Sequence, residues 1–230
     1  MALQIGLLLF PKVQQLDLTG PHEVFAAIPD ARVHLVWRDR TPVAASSGMM
    51  LAPDMDFAQC PQLDILCVPG GAGVNALLED QEVLDFLRRQ AAGARFVTSV
   101  CTGALVLGAA GLLRGRRATT HWNAQDLLPH YGAIPVAERV VRDGSLMTGG
   151  GVTAGIDFAL TLAAELAGRE AGEAIQLALE YAPAPPFDAG RPETAPPAVL
   201  ERVRARTGAM RAERQRLAEA HAARAGQAAH

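Results

Sequence analysis

An α/β fold, with a doubly wound and mostly parallel sheet between helices on both faces, is the class this sequence predicts. Three observations predict it. Short continuous apolar runs recur, the mark of strands buried on both faces. Helix-period stretches separate those runs, as βαβ units require. Half of the 230 residues are hydrophobic, enough for a sizeable core in one large domain.

The elements follow in chain order. "LQIGLLLF" (3–10) is an unbroken apolar run stopped by Pro11. "VHLVWR" (33–38), "DILCVPGG" (64–71) and "RFVTSV" (95–100) are three more strands, the second of them ending in a Pro-Gly-Gly turn. Between them, "VNALLEDQEVLDFLRRQAAG" places Leu77, Val83, Leu84 and Leu87 on one helical stripe, with Gly93 as its stop. "AERVVRDGSLMTGGG" (137–151) reads as a hairpin with Asp143-Gly144 at its turn. "TAGIDFALTLAAELAG" (153–168) is a strongly apolar helix that Thr153 can cap and Gly168 can end, and "EAGEAIQLALEYA" is a second helix. The proline-rich "APAPPFDAGRPETAPP" (182–197) is the one linker-like stretch.

Residues 1–190 are therefore assigned to a single domain, and 191–230 to a linker and a C-terminal helical extension. In that extension Val203, Met210 and Leu217 recur every seven residues. The stripe suits a helix packed on the body or on a partner subunit; a solvated surface helix is the plainer alternative. The extension lacks the paired helices of a helix-turn-helix domain.

Bulk properties exclude several classes. A formal net charge of -3 gives the average surface no strong attraction for nucleic acid or anionic lipid. The apolar N-terminus lacks the basic start of a signal peptide, and no run approaches the ~20 apolar residues of a membrane span. Three cysteines, Cys60, Cys67 and Cys101, form no CxxC pair, which argues against a disulfide framework and a zinc knuckle. A reducing cytoplasmic setting is the expectation, with no metal spacing and no cofactor loop of the GxxxxGK[ST] or GxGxxG kind.

Cys101 stands apart from the other two. Cys60 and Cys67 read as small core residues. Cys101 falls where the run 95–100 ends and "ALVLGAAGLL" begins a helix. In open parallel sheets, ligands gather at the carboxyl ends of the strands. A thiol at a helix N-terminus meets unpaired N–H groups that favour thiolate, the nucleophilic form. The tight turn, which Gly103 permits, is like a nucleophile elbow, although GxSxG is absent.

The motifs "FPKVQQLDLTGPHEVF", "PGGAG", "VCTGALVLGAAGLLRGRRATTHW", "GGGVTAGIDFALTLAAEL" and "LEYAPAPPFDAG", in this order over nearly all of residues 3–190, resemble the PfpI-type superfamily related to class I glutamine amidotransferases. Within it they are most similar to the isocyanide hydratases. The resemblance implies a flavodoxin-like sandwich, a homodimer and a cofactor-free site near the subunit interface. It carries the family's cysteine onto Cys101 and its acidic partner onto Asp17, where many relatives have glutamate. Proteolytic members place histidine after the cysteine; Thr102 occupies that position here, against a peptidase.

The implied reaction is hydration of an isocyanide to an N-substituted formamide. Cys101 attacks the terminal carbon, Asp17 protonates it, and water activated by Asp17 resolves the thioimidate. Two acidic groups in one pocket share a proton. Without the resemblance, Asp17 reads rather as a helix cap or a solvated side chain.

The remaining site residues carry two readings each. Thr102 can hydrogen-bond Asp17 or the water, or only its own backbone. Gly70, Gly71 and Ala72 can offer N–H groups to the reacting atoms or serve only their turn. Gly150 and Val152 can lie beside Cys101 or merely lead into a helix. His121 in "TTHW" is read as a structural histidine, His22 as a surface or first-turn residue, and His130, His221 and His230 have no evident partners. Competing functions are a ligand sensor without its DNA-binding domain, a glyoxalase or deglycase acting on reactive carbonyls, and a stress chaperone that does not need Cys101.

Overall fold

The computed structural model describes residues 2–227. Apolar runs become strands where backbone pairing can satisfy every N–H and C=O inside the core. The first two strands are β1 (Leu3–Leu8) and β2 (Ala31–Trp37), separated by helix α1 (Gln15–Ala26). A small ribbon follows, β3 (Val43–Ala44) with β4 (Met50–Leu51), then β5 (Met55–Asp56) and β6 (Ile65–Val68). Helices α2 (Val74–Leu77) and α3 (Gln81–Gly93) lead to β7 (Phe96–Val100), which feeds α4 (Gly103–Ala109). A second small pair, β8 (Arg117–Ala118) and β9 (Ile134–Pro135), brackets a 3-10 helix at Trp122–Tyr131. The hairpin β10 (Val140–Asp143) and β11 (Leu146–Gly149) precedes α5 (Ala154–Ala167), α6 (Arg169–Ala178) and α7 (Pro197–Gln227).

Seven strands form the central sheet in the order β10-β11-β7-β6-β1-β2-β5. Every neighbouring pair is parallel except β10 with β11. The expected flavodoxin-like, doubly wound sheet is what the chain builds. Helix α1 packs on α5 and α5 on α6, while α2, α3 and the 3-10 helix gather around α4. Phe25 and Phe158, with ring centroids 6.1 Å apart, fasten α1 to α5.

Local chemistry explains where the elements depart from the sequence reading. The stripe 74–93 is two helices, because Asp80 caps the second: its carboxylate accepts the Val83 N–H at 3.3 Å. The hairpin pairs Asp143 with Leu146, so Gly144-Ser145 is its turn, with Gly144 in the left-handed region (φ 61°). Thr153 precedes α5 without a capping hydrogen bond; its hydroxyl instead accepts from Arg139 at 3.1 Å. The two-residue strands and the 3-10 helix carry no period long enough to read.

Helix α7 lies along the 3-10 helix and α2. Val203 and Met210 are half-buried and Leu217 is buried, so the seven-residue stripe faces the body. Polar clasps hold the same face. Asn123 donates to Thr207 at 3.0 Å and Asn75 to the Met210 carbonyl at 3.1 Å, while Arg211 pairs with Asp126.

Candidate active site

Four segments meet at the carboxyl ends of β6 and β7. Cys101 follows β7 directly. It is 7% exposed, and its backbone lies in the left-handed region with φ 54°. A non-glycine residue holds that conformation only when its surroundings compel it. Here they do: the Cys101 N–H donates to the Gly149 carbonyl at 3.0 Å, and its own carbonyl accepts the Thr120 hydroxyl at 2.7 Å. Two residues then suffice to reverse from strand to helix. Gly103 makes the reversal possible, since a Cβ there would stand 2.0 Å from the Val68 carbonyl oxygen.

Asp17 arrives from the first turn of α1 and is fully buried. Its Oδ2 accepts the Gly70 N–H at 2.9 Å. Its Oδ1 is also buried and has no partner of good hydrogen-bond geometry, although the Cys101 thiol stands near enough to bias the carboxyl. Burial is the largest influence and pushes the Asp17 carboxyl up to about 7; the Gly70 N–H and the thiol oppose it. The Cys101 thiol is pushed well above its ordinary range, first by burial and then by the Asp17 charge. The Thr102 backbone N–H and the charge of Arg214 pull it the other way.

The expected help from the helix N-terminus is therefore present but outweighed. The resting thiol keeps its proton, and Asp17 is the group poised near neutrality. Together they share a proton, as two acids in one dry pocket must.

The Thr102 hydroxyl oxygen accepts the Gly71 N–H at 3.2 Å, which leaves its own proton to donate. The N–H groups of Gly70 and Gly71 are thus engaged with Asp17 and Thr102, and are not free to meet a reacting atom. They fix the Asp17 carboxylate and the Thr102 side chain in place. A Cβ on Gly70 would lie 2.7 Å from the Thr102 hydroxyl and 2.8 Å from the Asp17 carboxylate, so this position must be bare. Ala72 is exposed, on the far side of the turn.

Gly150 and Val152 follow Gly149, whose carbonyl accepts the Cys101 N–H. They line a cleft of about 1170 Å³ together with Thr120, His121, Gln125 and Arg139. Cys101 does not line that cleft; Thr120, bonded to the Cys101 carbonyl, forms the wall between. The Gly150 N–H is taken by the Arg139 carbonyl at 2.9 Å.

His121 holds its own turn, with Nδ1 accepting the Asn123 N–H at 3.3 Å. Burial and then the nearby Arg214 charge lower its pKa, so it stands neutral. His22 is half-buried within α1, and His221 lies against the Tyr131 ring at 4.8 Å. His230 falls outside the described residues. Among the described residues, no three His, Cys, Asp or Glu side chains cluster as a metal site. Cys60 is half-buried and Cys67 fully buried inside β6.

One residue at the site escaped the sequence reading. Arg214, buried at the inner face of α7, donates to the Gly71 carbonyl at 3.3 Å. Its signal was faint: an arginine one turn after Met210, on the side of the helix that carries the seven-residue stripe.

Comparison with known proteins gives this arrangement relatives. A family model described as the DJ-1/PfpI family matches residues 4–165. An isonitrile hydratase of Pseudomonas putida is 67% identical over 206 residues, covering 90% of each chain. A crystal structure of a THiJ/PfpI family protein from Pseudomonas syringae superposes with a TM-score of 0.91 at 41% identity, covering 96% of this chain and 91% of that one. A helix-turn-helix transcriptional regulator of Pseudomonas aeruginosa is 33% identical over 146 residues, which are 63% of this chain but only 40% of the regulator.

Proposed function

The chain belongs to the DJ-1/PfpI family, and from that premise we propose that it is an isocyanide hydratase, converting R–N≡C and water to an N-substituted formamide. The observation that carries the reading is the pairing of a strained, buried cysteine with a buried carboxyl poised near neutrality, in a chain 67% identical to an isonitrile hydratase.

The reaction follows from the proton that Cys101 and Asp17 share. The terminal carbon of an isocyanide accepts a nucleophile and a proton at one atom. Asp17, ionised, takes the thiol proton as sulfur attacks that carbon. The S–C bond forms, Asp17 returns the proton to the same carbon, and a thioimidate, Cys–S–CH=N–R, results. No free thiolate need accumulate, which suits a thiol held above its ordinary range. Asp17 then takes a proton from water as hydroxide adds to the C=N carbon, and passes that proton to nitrogen. The tetrahedral adduct collapses: the C–S bond breaks, the hydroxyl becomes the formyl carbonyl, and sulfur regains its proton. Covalent capture divides one hard addition into two easier ones, and one carboxyl serves both halves.

Thr102 holds the Gly71 end of the turn in this scheme, and Gly70 orients the carboxylate.

A homodimer is the assembly we infer. Leu177 on α6 is 80% exposed and Phe187 in the proline-rich segment 78%, apolar surface that a second copy would cover. Three free thiols suit a reducing compartment such as the cytoplasm. Among the described residues, no helix is long and apolar enough to cross a membrane.

The test mixes purified protein with a simple alkyl isocyanide and follows N-formamide by NMR, with Cys101→Ala alongside. Formamide that forms with wild type and vanishes in the variant supports the reading. No formamide from several isocyanides overturns it and turns attention to carbonyl substrates.

A further inference from the structure

Arg214 is 5% exposed and forms no ion pair with a carboxylate among the described residues. Burying an unpaired guanidinium is expensive, so a protein that does it has to satisfy the charge by other means. Nε donates to the Asn75 side-chain oxygen at 2.8 Å, and Nη2 to the Gly71 carbonyl at 3.3 Å. Asn75 in turn donates to the Met210 carbonyl, clamping α7 one turn before the arginine.

The Gly70–Gly71 turn is where the reaction centre is anchored. Its two N–H groups hold Asp17 and Thr102, and the Gly70 carbonyl accepts the Gln14 N–H at 2.8 Å. The Gly71 carbonyl is the remaining tether; it accepts the Val74 N–H at 3.4 Å and, as its one side-chain donor, Arg214 at 3.3 Å. We propose that Arg214 is a positioning residue of the reaction centre, holding the Gly70–Gly71 turn on which Asp17 and Thr102 rest and placing a positive charge beside Cys101. The C-terminal helix is then part of the active site. The proposal rests on the Cys101–Asp17 reading of the reaction.

The neighbouring charges agree in sign. Asp17 disfavours negative charge on the Cys101 sulfur and Arg214 favours it. Around Arg214, Cys101 and Tyr131 support its charge while burial and Arg211 oppose it, and His121 stays neutral beside it. Sulfur gains negative charge both as it attacks and as it is expelled, and a fixed cation favours both moments.

The test compares wild type, Arg214→Met and Arg214→Lys. The rate of iodoacetamide alkylation of Cys101 is followed against pH by peptide mass spectrometry, and kcat and KM are measured with an alkyl isocyanide. Arg214→Met should alkylate about tenfold more slowly at neutral pH, its midpoint moved up by about one unit. Its kcat should fall more than its KM rises. Arg214→Lys should restore the alkylation midpoint but not kcat, because an ammonium cannot reproduce the fork that bridges Asn75 and Gly71. An alkylation profile superimposable on wild type overturns the electrostatic role.

Asn75→Ala, which keeps the charge and removes its clamp, carries the test should Arg214→Met fail to fold. It should lower kcat with the thiol midpoint in place, and an unchanged kcat overturns the positioning role. If wild type hydrates no isocyanide, the functional reading fails, while the alkylation comparison still decides for or against Arg214.

Discussion

Asp17 and Cys101 differ from ordinary acids because burial strips them of most of their contact with water. In the proposed reaction their one-proton state is the reactive one: Asp17 ionised, the thiol protonated. Below about 7 the carboxyl is also protonated and cannot accept from sulfur. We expect kcat/KM to rise as pH climbs through that value and to level off above it, since burial holds the thiol well above its ordinary range, in a profile measured from pH 5 to 9. Asp17→Asn keeps an acceptor for the Gly70 N–H but cannot move a proton, and should cost at least about a hundredfold in kcat.

Linkage gives the same variant a stability signature. The folded carboxyl is raised above its unfolded value, so between pH 4 and 7 the folded protein holds a proton the unfolded chain has released. The stability this group contributes is complete below pH 4 and is lost as pH rises toward 7. Asp17→Asn, free of that titration, should be more stable than wild type at pH 8, on the order of 2–4 kcal/mol, and the gain should shrink in urea melts at pH 4. A variant equally destabilised at both values would contradict the buried, proton-sharing carboxyl.

The elements that present this pair were largely readable. Four of the five inner strands lay in apolar runs, and Cys101 lay at the junction of a run and a helix. Its left-handed φ was not readable, because it is imposed by the Gly149 carbonyl and the Thr120 hydroxyl. The role of Thr102 was equally hidden, since its partner is 31 residues away on another turn. Gly70 shows what such closeness demands. Gly70→Ala would drive a methyl against the Asp17 carboxylate and the Thr102 backbone N, which is 2.6 Å from that Cβ position. Since misplacement of about 1 Å can cost a hundredfold in rate, kcat should fall by tenfold or more. Circular dichroism should show the helices intact.

At the scale of the molecule, the exposed Leu177 and Phe187 are the apolar surface the proposed homodimer would cover. Leu177→Asp combined with Phe187→Asp should turn a dimer into a monomer by sedimentation velocity; a dimer that persists would put the contact on another face.

The amino-acid sequence by itself determined the strands, their alternation with helices, the cysteine at the turn and, through family resemblance, its acidic partner. Period and turn chemistry are local, so they survive in a linear reading. Only the tertiary structure decided which group carries the proton, what Gly70, Gly71 and Thr102 hold, and that Arg214 reaches the site from the last helix. Those depend on desolvation and on contacts spanning up to 143 residues, and neither is written in the spacing of side chains along the chain.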